Sequence, residues 1–228
     1  MATDESMIVL LTGRAAVYRV FQETLGNEPN TDMLERLASP QTQEVLQLFA
    51  EETSSYMQML DALRAFVQEQ TQDMDSLAKK LSGGFTRLFV GPGAVDVPPW
   101  ESVYLDKHNA LFQPSTLEVR KAYVAQGFLP EQYPHVADDH IALELDFMAK
   151  VAEKAVEAFS SGEKVKAKEH LIASKDFIEQ HLLVWVPAFT KKLREVKSGY
   201  FYSLIGDLLE AFLPVDHEAI NEIVEVLA

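Results

Sequence analysis

The sequence predicts an all-α protein, a single domain over residues 1–228 made of about ten helices with two proline-rich loops in mid-chain, and three observations carry that prediction. Apolar residues recur at spacings of three and four almost throughout, the period that gathers them on one helix face. No stretch alternates apolar and polar residues between hairpin turns, as a half-buried strand would. Glycine and proline collect at the ends of the periodic stretches and in two central segments, where helices cannot run.

In residues 4–25, Leu10, Val17, Phe21 and Leu25 share a face, and Gly26 stands where a left-handed residue would close the helix. Ser39-Pro40 reads as an N-cap followed by proline at the first helical position, opening a helix with Val45, Leu46, Leu48 and Phe49. Tyr56, Leu60, Leu63 and Val67 make the next stripe. Leu77, Leu81, Phe85 and Leu88 make another, although Gly83-Gly84 weakens it by about 1 kcal/mol per glycine relative to alanine. The pattern stops at Gly91-Pro92-Gly93, and through Pro98-Pro99 up to Tyr104 the chain is expected to be non-helical. Ser115-Thr116-Leu117-Glu118 has the form of a capping box, and Gly127 closes that helix. Pro130 and Pro134 hold a second irregular stretch extended as far as Val136. Asp138 then offers the N-cap of the strongest helix, with Ile141, Leu145, Met148, Ala152, Ala155 and Phe159 ahead of Gly162. Residues 165–181 turn Leu171 and Ile178 inward, and a break or kink follows at Pro187 before a short helix with Phe189 and Leu193. A stripe of Phe201, Ile205, Leu208 and Phe212 ends at Pro214, and Asp216 caps a last helix with Ile220, Ile223 and Leu227.

A chain that is 47% hydrophobic and 24% charged has the balance of a globular protein and excludes a disordered tail. Its net charge of -15 repels nucleic acid and anionic membrane surfaces on average and favours a basic partner. The absence of cysteine removes disulfides, thiolate nucleophiles and cysteine-ligated metal centres. Neither an export signal nor a run long enough to span a bilayer is present, so the expected compartment is the cytoplasm, with no membrane insertion.

Catalytic signatures are missing. Gly91-Pro92-Gly93 lacks the Lys-Ser/Thr of a P-loop, and no His-Glu-x-x-His, Gly-x-Ser-x-Gly or EF-hand pattern occurs, so no reaction and no bound cofactor or metal is expected. Two features remain. Asp138 and Asp139 precede His140, and Glu144 lies one helical turn on from it, a spacing that suits either a metal or acid–base site or a plain structural pair of His140 and Glu144 beside a capping Asp138. Pro99, Trp100, Glu101, Ser102 and Tyr104 place a large aromatic, an acid and a phenol on a stiff segment, which suits either a peptide-binding anchor or a plug for the core. Trp185, beside Pro187, reads as core.

Taken in order, Leu88-Phe89-Val90-Gly91-Pro92-Gly93, Pro98 to Asp106, Ser115-Thr116-Leu117, Asp139-His140-Ile141 with Glu144-Leu145 and Phe147-Met148, and His181-Leu182 with Trp185 and Phe189 resemble the TorD/DmsD family. The resemblance covers residues 85–193, and the first 80 match only in helical character. It implies an all-helical cytoplasmic chaperone, not an enzyme. Such a chaperone binds the twin-arginine signal peptide and the apo form of a molybdoenzyme, and withholds that client from export until its molybdopterin cofactor is inserted. It implies a peptide-binding region at Leu88 and Phe89, at Trp100 and Ser102 in the loop, and at Asp139 and His140. The physical assignment that accompanies it has Leu88, Phe89 and Trp100 burying the apolar side chains of the peptide, while Glu101, Asp139 and Glu144 face its arginines. Phe85 and Gly93 stand where some members carry tryptophan, a departure that bears on which client is taken. A monomer or a domain-swapped homodimer is expected. The competing readings are an acidic helical adaptor without a groove, and a metal-binding protein centred on Asp139, His140 and Glu144.

Overall fold

The longest apolar stripes fold as their periodicity requires. A computed structural model describes residues 4–51, 54–70, 73–91, 95–105, 113–130, 137–196 and 199–227. Helix α1 (Asp4–Gly26) is followed by α2 (Thr31–Ala38), α3 (Pro40–Gln47), α4 (Ser55–Gln70) and α5 (Met74–Phe85), the last running into a π-helical turn at Thr86–Val90. Then come α6 (Glu101–Leu105), α7 (Pro114–Ala125), α8 (Ile141–Ser160) and α9 (Lys164–Phe177). A second π-helical turn, Ile178–Leu182, leads into α10 (Leu183–Glu195), and α11 (Tyr200–Val226) completes the described elements. Among the described residues there is no strand, only an isolated antiparallel bridge between Trp100 and His140.

The core is one contiguous cluster that reaches from Met7 in α1 to Ile223 in α11. Helices α1, α8 and α9 pack in succession, and α11 lies against α10 and α4. Phe212 is its aromatic hub, with the rings of Tyr18, Phe21, Phe49 and Tyr56 at 5.3 to 5.9 Å. Edge-on contacts of this kind add about 0.5–1.5 kcal/mol each beyond the area they bury. The stripe of Tyr56, Leu60, Leu63 and Val67 is buried as its spacing requires. Ser39 caps α3 with Pro40 in the first turn, and Gly127 and Gly162 take the left-handed conformation that ends α7 and α8.

Several local expectations are corrected. Gly26 is not a left-handed cap; it stays helical because α1 meets α8 there, and a Cβ at this position would lie 2.5 Å from that of Ala142. Leu48 is exposed rather than core. Residues 101–105 are helical up to and beyond Tyr104, because Pro98 and Pro99 end before the turn begins. The capping box at Ser115 does not form, since Pro114 occupies the first turn and shifts the cap to Gln113. Pro187 and Pro214 both sit inside helices, and neither breaks its helix. An internal proline costs about 3 kcal/mol, which the fully buried Trp185, Phe189, Phe212 and Ile220 around these two outweigh.

Asp216, expected as a cap, is instead buried with its carboxylate gripped by Arg14. The Arg14 Nε and Nη2 donate to Oδ1 and Oδ2 at 2.5 and 2.9 Å, and the Tyr18 hydroxyl donates to Oδ2 at 2.7 Å. Both charged side chains are fully buried, so α11 is bolted to α1 just past its proline. Helix α2, with Asn30 accepting the Met33 amide at 2.9 Å and Met33, Leu34 and Leu37 buried, was not anticipated from the sequence. Most of the second irregular stretch, including Pro134 and Val136, lies outside the described residues.

Candidate functional site

Two chain segments that are 37 residues apart hold each other's ends. The backbone after the first π-helical turn is anchored where the Val97 amide donates to the Leu88 carbonyl at 3.0 Å. From there Pro98 and Pro99 run extended to Trp100 beside the segment 138–141. The Glu101 amide donates to the Asp139 carbonyl at 3.0 Å, and the Ile141 amide donates to the Pro99 carbonyl at 2.8 Å. The Asp139 carboxylate then accepts the Ser102 amide at 2.8 Å. In this way the first amides of α6 and α8, which helices leave without internal partners, are satisfied across the junction.

His140, not Asp138, caps α8: its Nδ1 accepts the Ala142 amide at 3.1 Å. That bond requires a lone pair on Nδ1, so the ring is neutral with its proton on Nε2. Burial lowers its pKa to about 4 against the opposing pull of Asp139. Asp138 turns away to Arg120, whose Nε donates at 2.7 Å, and the Asp138 carbonyl accepts the Tyr123 hydroxyl at 2.9 Å.

Behind the junction lies a set of buried acids. Glu101 is 1% exposed and its two carboxylate oxygens lie 3.1 and 3.0 Å from His181 Nδ1. Glu144 is fully buried and accepts the Trp185 indole N–H at 3.0 Å. Burial first, and then the nearby Glu101 and Asp139, push the Glu144 carboxyl well above its ordinary range, which favours its protonated form. A protonated carboxyl is the form that can sit beside Glu101 in an interior without a second cation.

The structure divides the ten residues expected at the site into two groups. Trp100, Tyr104 and His140 are half-buried and reach the surface together; the Trp100 and His140 rings meet edge-on at 5.5 Å. The Tyr104 hydroxyl donates to the Pro98 carbonyl at 2.8 Å while its ring packs 5.4 Å from that of Trp185. The exposed side chain of Leu105 follows Tyr104 directly in the chain. Leu88, Phe89, Pro99, Glu101, Ser102, Asp139 and Glu144 are buried. Phe89 belongs to the core, 5.3 Å from the rings of both Phe85 and Tyr202. The assignment of Glu101, Asp139 and Glu144 as carboxylates facing a ligand's arginines is therefore not met in this conformation, because all three point inward to His181, the Ser102 amide and Trp185. They hold the face in place from beneath.

Nor do Asp139, His140 and Glu144 converge on a common point. Each is bonded to a different partner, and among the described residues no group of three histidine or acidic side chains could hold a metal ion. Sequence reasoning left His181, Trp185 and Arg120 out of the site. Their positions beside Glu101, Glu144 and Asp138 follow from long-range packing, and the only sequence signal for His181 and Trp185 was that they fell within the motifs quoted above. Among the described residues no helix is long and apolar enough to cross a membrane.

Comparison with known proteins gives the family. A family model described as the nitrate reductase delta subunit matches residues 49–191, more than half of the chain. The chaperone protein TorD of Vibrio cholerae serotype O1 is 27% identical over 221 residues, covering 97% of this chain and 98% of the relative. TorD of Aliivibrio fischeri is 26% identical over 205 residues, covering 89% of this chain and 92% of the relative. A probable Tat proofreading chaperone DmsD of Haemophilus influenzae is 27% identical over 130 residues, covering 57% of each chain. The similarity to TorD takes in the first 80 residues as well, beyond the stretch that the motifs marked. These relatives are named as chaperones and not as enzymes, and the chain belongs to the nitrate reductase delta subunit family, the TorD/DmsD family of redox-enzyme maturation chaperones that its motifs resemble.

Proposed function

We propose that this chaperone works in the cytoplasm by binding the twin-arginine signal peptide of an apo-molybdoenzyme, withholding it from export until the client's molybdopterin cofactor is in place. The observation that carries the reading is the pinned junction: Trp100, Tyr104 and His140 form a partly exposed aromatic face that the buried carboxylates of Glu101, Asp139 and Glu144 keep rigid. A rigid aromatic face binds apolar side chains without first paying to order itself. Its surroundings suit the rest of such a peptide, whose basic N-terminal region is drawn towards a chain of net charge -15. Micromolar affinity requires only about 8 kcal/mol, within reach of a few buried aromatic contacts assisted by charge steering. Leu88, Phe89, Pro99 and Ser102 support the face from within.

The test is a calorimetric titration of a twin-arginine signal peptide into the wild type and Trp100→Ala. Salt-sensitive binding that is lost in Trp100→Ala, with the helical circular dichroism unchanged, supports the reading. Equal binding by both proteins removes the aromatic face from it. Binding that responds to surface charge reversal and not to Trp100 would instead favour an acidic adaptor, the reading that the net charge alone supports.

A further inference from the structure

The second half of α1 borders a groove that the fold leaves open. Helices α1, α2 and α3 enclose a concavity of about 310 Å³, walled by Ala16, Val20 and Thr24 of α1, Met33 and Leu37 of α2 and Val45 of α3. This is at the lower end of the roughly 300–1,000 Å³ of ligand pockets. It runs from residue 16 to residue 24 of α1, about 12 Å along the helix axis, room for about two turns of a helix or about four extended residues.

The charges that line the groove are already taken by the fold. Arg19 is paired with Asp146 and, at 2.9 Å, with Glu153, both on α8, and Arg36 of α2 meets Glu23 of α1 at 3.2 Å. The Thr24 hydroxyl donates to the Val20 carbonyl at 2.8 Å. A charged group entering here would lose its water without gaining a partner, whereas an apolar one gives up only water. The groove also ends beside the aromatic face. Gly26, two residues past Thr24, lies so close to α8 that a Cβ on it would be 2.5 Å from that of Ala142. The Ala142 amide is the one that His140 caps, and the His140 ring meets Trp100.

We infer that this groove continues the peptide site and takes large side chains from the uncharged apolar stretch of the twin-arginine signal peptide, beyond those held at Trp100, Tyr104 and His140. Charge selects the occupant. Each charged residue lining the groove is paired within the fold, so the arginine-bearing end of the peptide finds nothing there, and the uncharged stretch fits. A groove between helices receives such a stretch by burying the side chains of one face. The inference rests on the signal-peptide reading and adds to it where the rest of the apolar stretch is read.

The test titrates peptides into wild type, Ala16→Phe, Val45→Gln and Trp100→Ala, each checked for fold by circular dichroism. The peptides are a twin-arginine signal peptide, a version with one arginine changed to glutamine, and versions with each large apolar residue of the uncharged stretch changed in turn to alanine. Ala16→Phe fills the groove from α1 and Val45→Gln puts an amide in its α3 wall; both positions are half-buried, and either variant suffices if the other does not fold. Each is expected to weaken the twin-arginine peptide about tenfold, the share of one buried apolar side chain. That loss should persist in full against the Arg→Gln version and shrink below about threefold against at least one alanine version, as residues in contact require. Should both variants bind every peptide as wild type does, or weaken all of them equally, the groove is refuted; if Trp100→Ala still abolishes binding in that case, the signal-peptide reading survives without it. A twin-arginine peptide that fails to bind the wild type overturns both.

Discussion

The Asp139 carboxylate accepts the Ser102 amide at 2.8 Å across 37 residues of chain, while the Ile141 amide donates to the Pro99 carbonyl in the opposite direction. Two helix beginnings are thereby fixed by one another, and the aromatic face stands on the joint between them.

Removing that carboxylate should loosen the face without unfolding the protein. Asp139→Ala strips α6 of its cap and leaves the buried Ser102 amide unsatisfied, a loss of about 2 kcal/mol. Urea denaturation is expected to show that decrease, and peptide affinity should fall at least as steeply as it does for Trp100→Ala. Asp139→Asn, which retains an accepting oxygen, should recover most of the stability.

A larger effect is expected at the Arg14–Asp216 pair, where both side chains are fully buried. Arg14→Ala leaves an unpaired carboxylate inside the core and should cost about 3–5 kcal/mol in urea denaturation. The double variant Arg14→Met, Asp216→Leu buries no charge and is expected to be markedly more stable than Arg14→Ala. Recovery stays incomplete because the Tyr18 hydroxyl loses its acceptor.

The buried acids give the stability a pH dependence with two opposing parts. Glu144 is held above its ordinary 4.5, so the folded state keeps a proton that the unfolded chain releases. Its contribution is complete below pH 4.5 and is lost as pH rises towards the folded value. His140, lowered from 6.5 to about 4, works the other way: its contribution is present above pH 6.5 and is lost as pH falls towards 4. Glu144→Gln keeps an acceptor for Trp185 and abolishes the titration. Relative to wild type it should therefore gain stability between pH 5 and pH 8, and parallel urea curves at the two pH values would show that Glu144 is not protonated in the native state. His140→Asn retains an N-cap and should reduce the loss of stability between pH 6.5 and 4.

At the α1–α8 contact, Gly26→Ala would bring its methyl group to 2.5 Å from the Ala142 Cβ. Overpacking of this kind typically costs about 1–3 kcal/mol. The compensating variant Gly26→Ala, Ala142→Gly should regain much of it, as read from the midpoint of thermal unfolding.

The helices were legible wherever a local rule was also the tertiary rule. Tyr56, Leu60, Leu63 and Val67 are buried because a stripe of that spacing has only one way to leave water. The sequence misleads where a residue has both a local use and a distant one. Asp138 and Asp216 each precede an apolar stripe and look like caps, but arginines 18 and 202 residues away take them. Pro187 and Pro214 look like helix ends, yet burial of Trp185 and Phe212 beside them exceeds the cost of a missing bond. Trp100, Asp139 and His140 were found through motifs and do lie together. That Glu101 points to His181, 80 residues on, and not to solvent could not be read from either neighbourhood.

The distance spanned by the Arg14–Asp216 bond also bears on how the chaperone is made. Arg14 leaves the ribosome 202 residues ahead of its partner, and Phe212, around which Tyr18, Phe21, Phe49 and Tyr56 close, follows almost as late. Until α11 emerges, a nascent chain would carry a buried-to-be cation and four aromatic rings with nothing to cover them. The native core is therefore completed only once α11 has been made, and while it waits for that helix this chaperone is itself a polypeptide with exposed apolar surface.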